Sequence, residues 1–383
     1  MKTTRDRKIM DRQRIDGYVD RFLAGYRPYQ NYWNYEDGCV LTGCIRLYEA
    51  TGDRKFRDFV IRYLDSRVDA DGTINTFDRS QISLDSFNCG KAFFFALDET
   101  KDEKYRKALD FLMERLAVYP RCRCGNFIHK DIYPGQFWLD GLYMAEPLYM
   151  EYETRFRNRE HYDDIVLQFD NVKKYMFNSE KGLFYHGFDE DRVQLWADSR
   201  TGCSGSFWAR ACGWWLMALV DTMDVMADFI YEQYRDLEDL FRLSVKGMLP
   251  YADKKTGLFC QVVDLQDAEG NYQETSGSAM VAYAVMKGCR KGILLPDKYL
   301  DRGRRIFESL CETKLKDAGN GKTVLTDICK VAGLGPGEKR DGTPEYYFSE
   351  PKTEDDAKGV GPFFMAYAEY IRSEKDSRTF REF

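Results

Sequence analysis

The sequence is poor in histidine and lacks long apolar runs. Three histidines among 383 residues are too few for a convincing zinc quartet, and we expect neither a metal nor a cofactor. The sequence contains no run of eighteen apolar residues, the length needed to span a membrane. The charged N-terminal stretch "MKTTRDRKIMDRQRIDGYVDRFL" has no apolar core typical of a signal peptide. We therefore expect a protein that neither crosses a membrane nor carries an export signal.

Basic residues are outnumbered by acidic ones, 57 to 63, which gives a net charge of −6. This balance argues against a nucleic-acid binder, because neutralising phosphates requires a basic surface. The eleven cysteines are odd in number and scattered, unlike the even framework of a small disulfide-rich domain. Free thiols without an export signal favour a cytoplasmic protein.

A repeat of helical hairpins runs along the chain. Amphipathic segments that start with a charged turn and an aromatic residue recur about every fifty to seventy residues, at Phe56, Tyr105, Tyr162, Tyr234 and Tyr299. A degenerate copy lies near the N-terminus. Between these segments are glycine-marked loops and helices rich in small and aromatic residues, such as "GSFWARACGWWLMALVDTM". The pattern indicates helical hairpins repeated along one chain.

The last helical segment, "GPFFMAYAEYIR" from residue 361, is strongly apolar. An open solenoid would need a polar capping repeat at that end, whereas an apolar end suits closure on the first repeat. We therefore predict an all-α fold, a closed (α/α)6 barrel of inner and outer helices that forms a single domain over residues 1–383. Short hairpins are expected in the glycine-marked loops.

In such a barrel the loops that lead into the inner helices gather at one end and form a central cleft. Polar residues on these loops are candidates for a binding or catalytic site. Five residues fit this description: Asp85, His129, Asp140, His186 and Arg210.

Asp140 lies among apolar residues in "FWLDGLYMAEP". An acid in such surroundings holds its proton more firmly, which suits a general acid near neutral pH. A helix N-cap is the alternative interpretation, since Asp is common just before an apolar helix. A helix N-cap is also the alternative interpretation of Asp85 in "SLDSFNCGK". For Arg210 the alternative is a structural ion pair between two inner helices.

Four motifs, "FWLDGLYMAEP", "FWARACGWW", "ETSGSAMVAY" and "KGVGPFFMAY", resemble glycoside hydrolase family 105, the unsaturated rhamnogalacturonyl hydrolases. The resemblance runs from about Tyr32 to Tyr370. It is most specific where W-x-D-G-L-Y-M is followed by W-A-R-x-x-G-W. It implies the same (α/α)6 barrel that the repeat predicts independently.

The resemblance also implies roles for individual residues, with Asp140 as the proton donor. The residues that it places at the substrate are Tyr35, Asp85, His129, Lys130, His186, Trp208, Arg210 and Trp214. Cys212 stands where the family often has Asn, a departure that affects the cleft floor but not the donor. The glycine-rich stretch "VAGLGPG" (331–337) is expected at the mouth of the cleft.

The implied reaction is hydration of the C4=C5 double bond of a terminal unsaturated galacturonyl residue in lyase-cut rhamnogalacturonan. Asp140 would act first as the acid and then as the base. Asp85 would bind sugar hydroxyls and, as a like charge, strengthen the hold of Asp140 on its proton. Arg210 would bind the uronate carboxylate through two donors. Trp208 and Trp214 would either stack on sugar or pack in the core.

Two alternatives remain open. One is a family 88-like unsaturated glucuronyl hydrolase that acts on glycosaminoglycan or ulvan fragments. The other is a catalytically silent toroid that only binds sugar. In each case we expect the oligosaccharide as the partner, no nucleic acid or membrane, and a monomer or weak homodimer.

Overall fold

Helices alternate along the chain between an inner and an outer ring. The computed structural model describes residues 11–379 apart from 30, 228, 229 and 320. In chain order the helices are α1 (Arg12–Ala24), α2 (Tyr35–Thr51), α3 (Arg54–Asp65), α4 (Asp85–Asn88), α5 (Lys91–Thr100), α6 (Glu103–Ala117), α7 (Leu139–Phe156), α8 (Tyr162–Met176), α9 (Ala209–Val225), α10 (Tyr231–Met248), α11 (Thr275–Arg290), α12 (Pro296–Thr313), α13 (Pro344–Ser349) and α14 (Ala357–Thr379).

The inner ring consists of α2, α4 with α5, α7, α9, α11 and α14. Each of these packs against the next, and α14 returns to pack against α2, so the ring is closed. The predicted (α/α)6 barrel is therefore confirmed, including closure by the apolar C-terminal segment. Inner helices are buried on all sides, as in α9, where every residue from Ala209 to Met223 is buried.

The outer ring consists of α1, α3, α6, α8, α10 and α12. In α3 the side chain of Asp53 caps the first turn by accepting from the Lys55 N–H, and the apolar face that includes Phe56 is buried against the inner ring. Helix α1 corresponds to the degenerate repeat near the N-terminus. It packs on the last inner helix, with the Tyr18 and Phe363 rings edge to face at 5.9 Å.

The strands are short and lie in the loops between helices. They are β1 (Gln136–Trp138), β2 (Phe177–Asn178), β3 (Leu183–Phe184), β4 (Gly187–Asp189), β5 (Leu315–Asp317), β6 (Thr323–Leu325), β7 (Ile328–Cys329) and β8 (Lys352–Thr353). All four pairs are antiparallel: β1 with β4, β2 with β3, β5 with β6, and β7 with β8. The β2–β3 pair is a hairpin in the glycine-marked loop "EKGLFYHGFDE", as predicted. The β1–β4 pair joins the loops that lead into α7 and α9.

None of the helices that the structure describes combines the length and apolar character needed to cross a membrane.

Closure of the ring depends on close backbone contact between α14 and α2. A Cβ added to Gly361 would lie 2.4 Å from the carbonyl oxygen of Cys39, and one added to Gly43 would lie 2.9 Å from the carbonyl oxygen of Gly361. Backbone atoms cannot rotate away from such a clash. The two helices can therefore approach this closely only because both positions are glycine.

Gly361→Ala should lower the free energy of unfolding by about 3 kcal/mol, the upper end of the usual cost of overpacking, because the clash is with backbone. Gly17→Ala is the matched control, since Gly17 is also helical but has no atom near its Cβ position. The control should be neutral or stabilising by up to about 1 kcal/mol. Denaturant unfolding of both variants measures the difference, and equal stability would show that the contact does not hold the ring closed.

Candidate active site

A cleft opens where the loops that precede the inner helices converge. It is lined by Tyr35, Asp85, His129, Lys130, Tyr133, Trp138, Asp140, Met144, Trp208, Arg210, Trp214, Val331, Ala332, Gly333 and Arg340. Of the nine residues predicted for the site, eight line this cleft. The ninth, His186, lies directly against the Asp140 carboxyl group. Residues from more than half the length of the chain thus meet in one place.

Asp140 is the second residue of α7, and strand β1 leads directly into this helix. The N-cap position belongs to Trp138, whose backbone is extended, and no side chain caps this helix end. The capping interpretation of Asp140 is therefore wrong. Its side chain is 15% exposed, and its Oδ2 atom completes no hydrogen bond with the described residues.

His186 is the close polar neighbour of Asp140. Its Nε2 lies 3.2 Å from Asp140 Oδ2, although the alignment is not that of a completed hydrogen bond. Its Nδ1 lies 2.7 Å from the Tyr347 hydroxyl. Burial raises the pKa of Tyr347 well above its ordinary value, so the phenol keeps its proton beside Nδ1. The other ring nitrogen, Nε2, faces Asp140.

The β1–β4 ladder sets this geometry. Trp138 pairs with Gly187, and the Leu139 N–H donates to the carbonyl oxygen of His186 at 3.0 Å. The acid and its histidine neighbour are therefore held by backbone hydrogen bonds on either side of one ladder. Their proximity does not depend on flexible side chains.

His129 belongs to an aromatic stack beside Asp140. Its ring lies 4.5 Å from that of Trp138, with Tyr133 on Trp138 at the same distance. His129 Nδ1 has no hydrogen-bond partner among the described residues. A Cβ on Gly141 would lie 3.3 Å from this nitrogen and 2.9 Å from Leu84 Cδ1. Gly141, which follows Asp140, thus leaves room for the His129 ring.

Asp85 is bound to a lysine. Its Oδ2 lies 2.6 Å from Lys130 Nζ, and the two loops are joined by the Leu84 N–H donating to the carbonyl oxygen of His129. Burial alone would raise the pKa of Asp85, but Lys130 and His129 hold it below its ordinary value. Asp85 does not cap α4, because the N-cap residue is Leu84 and no side chain caps this end. Because Lys130 neutralises Asp85, this carboxylate cannot act strongly as the like charge that was predicted to strengthen the hold of Asp140 on its proton.

Arg210 connects two inner helices and also faces the cleft. Its Nε donates to Ser276 Oγ at 2.7 Å, and its Nη2 donates to the carbonyl oxygen of Cys329. Nη2 also lies 3.7 Å from the buried Glu274 carboxylate, so the structural ion pair is present. Its Nη1 has no hydrogen-bond partner in the described part of the chain. Substrate binding by Arg210 stays a prediction and would use this one nitrogen.

The two predicted tryptophans are almost fully buried. Trp208 donates from Nε1 to Gln261 Oε1 at 3.1 Å, and Trp214 stacks on Tyr143 with ring centroids 4.9 Å apart. Both still line the cleft, as does the partly buried Tyr35 at the start of α2. Each of these two tryptophan rings can therefore pack in the core and still present an edge to a sugar in the cleft. Cys212 does not line the cleft; its thiol lies 3.8 Å from the carbonyl oxygen of Phe184.

Several residues that line the cleft were not predicted from the sequence. Tyr133 and Met144 flank the donor motif, and an aromatic close to W-x-D-G was the available signal for the first of them. The glycine-rich stretch 331–337 does contribute to the mouth of the cleft, as predicted, through Val331, Ala332 and Gly333. Arg340 on the same loop has no distinguishing local pattern.

No group of three or more His, Cys, Asp or Glu side chains within the described ranges is arranged to hold a metal ion. All eleven cysteines are free thiols, and ten of them are buried.

The ring of helical hairpins and its aromatic cleft with a carboxyl group agree with the class of protein that the chain matches, the glycoside hydrolases. The family model described as Glycosyl Hydrolase Family 88 matches residues 8–374. The structure of a family 105 glycoside hydrolase from C. acetobutylicum ATCC 824 is similar, with a TM-score of 0.88 and 38% identity over 92% of this chain and 98% of that chain. The chain belongs to glycoside hydrolase family 105.

Two more distant proteins are also similar to this chain, one in sequence and one in fold. The unsaturated 3S-rhamnoglycuronyl hydrolase of Formosa agariphila is 23% identical over 246 residues, which are 62% of this chain and 58% of that protein. The unsaturated glucuronyl hydrolase of Bacillus sp. GL1, responsible for the degradation of glycosaminoglycan, has a TM-score of 0.61 and 16% identity over 93% of this chain and 95% of that chain. The second similarity shows the fold alone.

Acid should destabilise the protein through His129, which is 4% exposed. Burial, opposed in part by Asp85, lowers the pKa of His129 from 6.5 to about 4. Between these values the unfolded chain binds a proton that the folded chain does not, so the free energy of unfolding falls as the pH falls. The gap between the two values corresponds to at most about 3 kcal/mol.

His129→Gln should therefore lose less stability than the wild type between pH 6.5 and pH 4, whatever its stability at pH 7. Denaturant unfolding of both proteins across this range measures the slopes. Parallel curves would show that His129 does not contribute to the acid sensitivity.

Proposed function

We propose that this glycoside hydrolase hydrates the C4=C5 double bond of a terminal unsaturated galacturonyl residue in rhamnogalacturonan oligosaccharides. The observation that carries the proposal is the state of the two carboxyl groups that line the cleft. Asp85 is paired with Lys130, whereas Asp140 has no lysine or arginine partner among the described residues and opens on the cleft. One acid is therefore available for chemistry.

Hydrolysis at the anomeric carbon normally needs two working carboxyl groups, one as the acid and one as the base or nucleophile. The ion pair with Lys130 and the lowered pKa of Asp85 leave it a weak base. A single acid suffices for an enol ether, because protonation of carbon is followed by addition of water. The cleft is thus better suited to hydration than to displacement.

The reaction begins when the Asp140 hydroxyl gives its proton to C4. The positive charge that forms at C5 is stabilised by the ring oxygen, and the Asp140 carboxylate that remains lies 3.2 Å from His186 Nε2. Water adds to C5 and gives a proton back to Asp140, which restores the acid. The resulting hemiketal opens, and the linkage to the next sugar separates without attack at the anomeric carbon.

Positive groups at the cleft support an anionic substrate. Lys130, Arg210 and Arg340 line it, in a protein with an overall charge of −6. The galacturonyl choice is supported by the paired W-x-D-G-L-Y-M and W-A-R-x-x-G-W motifs and by the similarity to the family 105 enzyme. The name of the Formosa relative, an unsaturated 3S-rhamnoglycuronyl hydrolase, also supports an unsaturated uronate linked to rhamnose.

An unsaturated glucuronyl residue is the second candidate substrate. The match to the family 88 model over residues 8–374 favours it, and the chemistry at Asp140 would be the same. Lyase-cut rhamnogalacturonan and unsaturated glucuronyl disaccharides are to be compared by loss of the ultraviolet absorbance of the double bond. Loss with either substrate supports hydration, and the larger kcat/KM identifies the sugar. Binding without loss from any substrate would instead indicate a silent toroid.

Asp140→Asn should lower kcat by about two to four orders of magnitude, because Asn has nearly the same shape but cannot protonate carbon. Asp163→Asn is the matched control. Asp163 is likewise the second residue of its helix, α8, and is exposed on the outer ring. Both variants should melt close to the wild type, and the control should keep the wild-type rate.

An Asp140→Asn protein with near wild-type turnover would remove Asp140 from the chemistry. A large loss accompanied by a collapse of the melting temperature would instead assign a structural role. Substrate binding by the variant, measured by calorimetry, should be retained under the proposal.

A further inference from the structure

We propose that Arg340 binds an anionic group on the leaving saccharide, a carboxylate or a sulfate ester carried by a sugar beyond the unsaturated residue. Arg340 would then determine which oligosaccharides are good substrates. The inference rests on the proposed function and adds a charged group of the aglycone to it.

Arg340 is the cleft cation that remains without a partner. Lys130 is paired with Asp85, and Arg210 is engaged with Ser276 and the carbonyl oxygen of Cys329. The Arg340 guanidinium has no ion pair and no hydrogen bond to any part of the chain that the structure describes. A guanidinium offers paired donors that match carboxylate and sulfate oxygens, and these donors are unused here.

The backbone around Arg340 is fixed although its side chain is free. The Arg340 carbonyl oxygen accepts from the Gly335 N–H at 2.9 Å, and the Gly333 carbonyl oxygen accepts from the Tyr346 hydroxyl at 2.7 Å. The Ser206 hydroxyl donates to the carbonyl oxygen of Gly342 at 2.9 Å. A loop with one internal hydrogen bond and two anchoring ones holds the arginine at the cleft, which lowers the entropic cost of binding a ligand there.

Glycine at position 333 makes room for the guanidinium. A Cβ at Gly333 would lie 2.9 Å from Arg340 Nη1 and 3.8 Å from Trp138 Cη2. The arginine therefore lies across a residue without a side chain, beside the outer end of the Trp138 ring. Asp140, at the amino end of α7, is two residues beyond this tryptophan in the sequence.

Residues at the mouth of the cleft are more exposed to solvent than residues at its base. Arg210 is 2% exposed and His186 is fully buried, whereas Val331 on the arginine loop is 38% exposed and Arg340 is partly exposed. The ring that accepts a proton from Asp140 must lie at the base. Arg340 is thus placed to meet the sugar that extends from that ring toward solvent.

The test uses three unsaturated oligosaccharides with the same reacting residue. One has a neutral leaving saccharide, one has a further uronate in it, and one has a sulfate ester on its first sugar. The variant is Arg340→Gln. The matched control is Lys339→Gln, which removes the same charge from the preceding, exposed residue of the same loop and does not alter the cleft lining.

Arg340→Gln should lower kcat/KM about tenfold or more on at least one charged substrate and less than about twofold on the neutral one. The charged substrate that shows the loss identifies the source of the anion. Lys339→Gln should leave the ratio of charged to neutral substrates at its wild-type value.

Equal effects of Arg340→Gln on all three substrates, or no effect on either charged one, would overturn the inference and leave the proposed function intact. The same selective loss in Lys339→Gln would also overturn it, since loop charge rather than a binding contact would then be responsible. A wild-type protein that hydrates none of the three substrates would reject the proposed function and this inference together.

Discussion

Closure of the inner ring determines where everything else in this enzyme lies. Helices α14 and α2 come from opposite ends of the chain and meet through glycines whose missing side chains leave space for backbone contact. Once the ring is closed, the six inner helices must start on a common circle, and the loops that precede them converge at one end. The cleft follows from this convergence, and so do its residues from distant parts of the sequence. The short β1–β4 ladder then sets the position of Asp140 beside His186.

Charge at the cleft is distributed so that most ionic groups neutralise one another. Asp85 pairs with Lys130, and Arg210 stays close to the buried Glu274. Charges buried without such pairing would cost several kcal/mol each, so the pairs make a polar cleft compatible with a stable core. Two groups stand outside this scheme, Asp140 at the base and Arg340 at the mouth. They are the groups that our account assigns to the proton transfer and to the leaving saccharide.

The architecture was predictable from the sequence because periodicity is a property of each segment. Of the six outer helices described, all but α1 carry their own charged turn and aromatic start. The local sequence around Asp140 could not distinguish a helix cap from a cleft carboxyl group. The start of α7 is set by the pairing of Trp138 with Gly187, some fifty residues away, and this long-range pairing excludes the capping alternative. The Asp85–Lys130 pair likewise arises from contact between two loops. Arg340 had no local signal, since its distinction is the absence of a partner. For Arg210 the structural interpretation proved correct, and the predicted contact with substrate remains compatible with it.

Deuterium incorporation tests the central claim most directly. The claim is that Asp140 protonates C4 of an unsaturated uronate and that cleavage follows from hydration. When the reaction is run in heavy water and the released acid is examined by nuclear magnetic resonance, the account predicts one deuterium at C4 and loss of the double bond as the aglycone is released. Release of an unsaturated acid that retains its double bond and carries no deuterium at C4 would contradict it, because cleavage would then have occurred at the anomeric carbon.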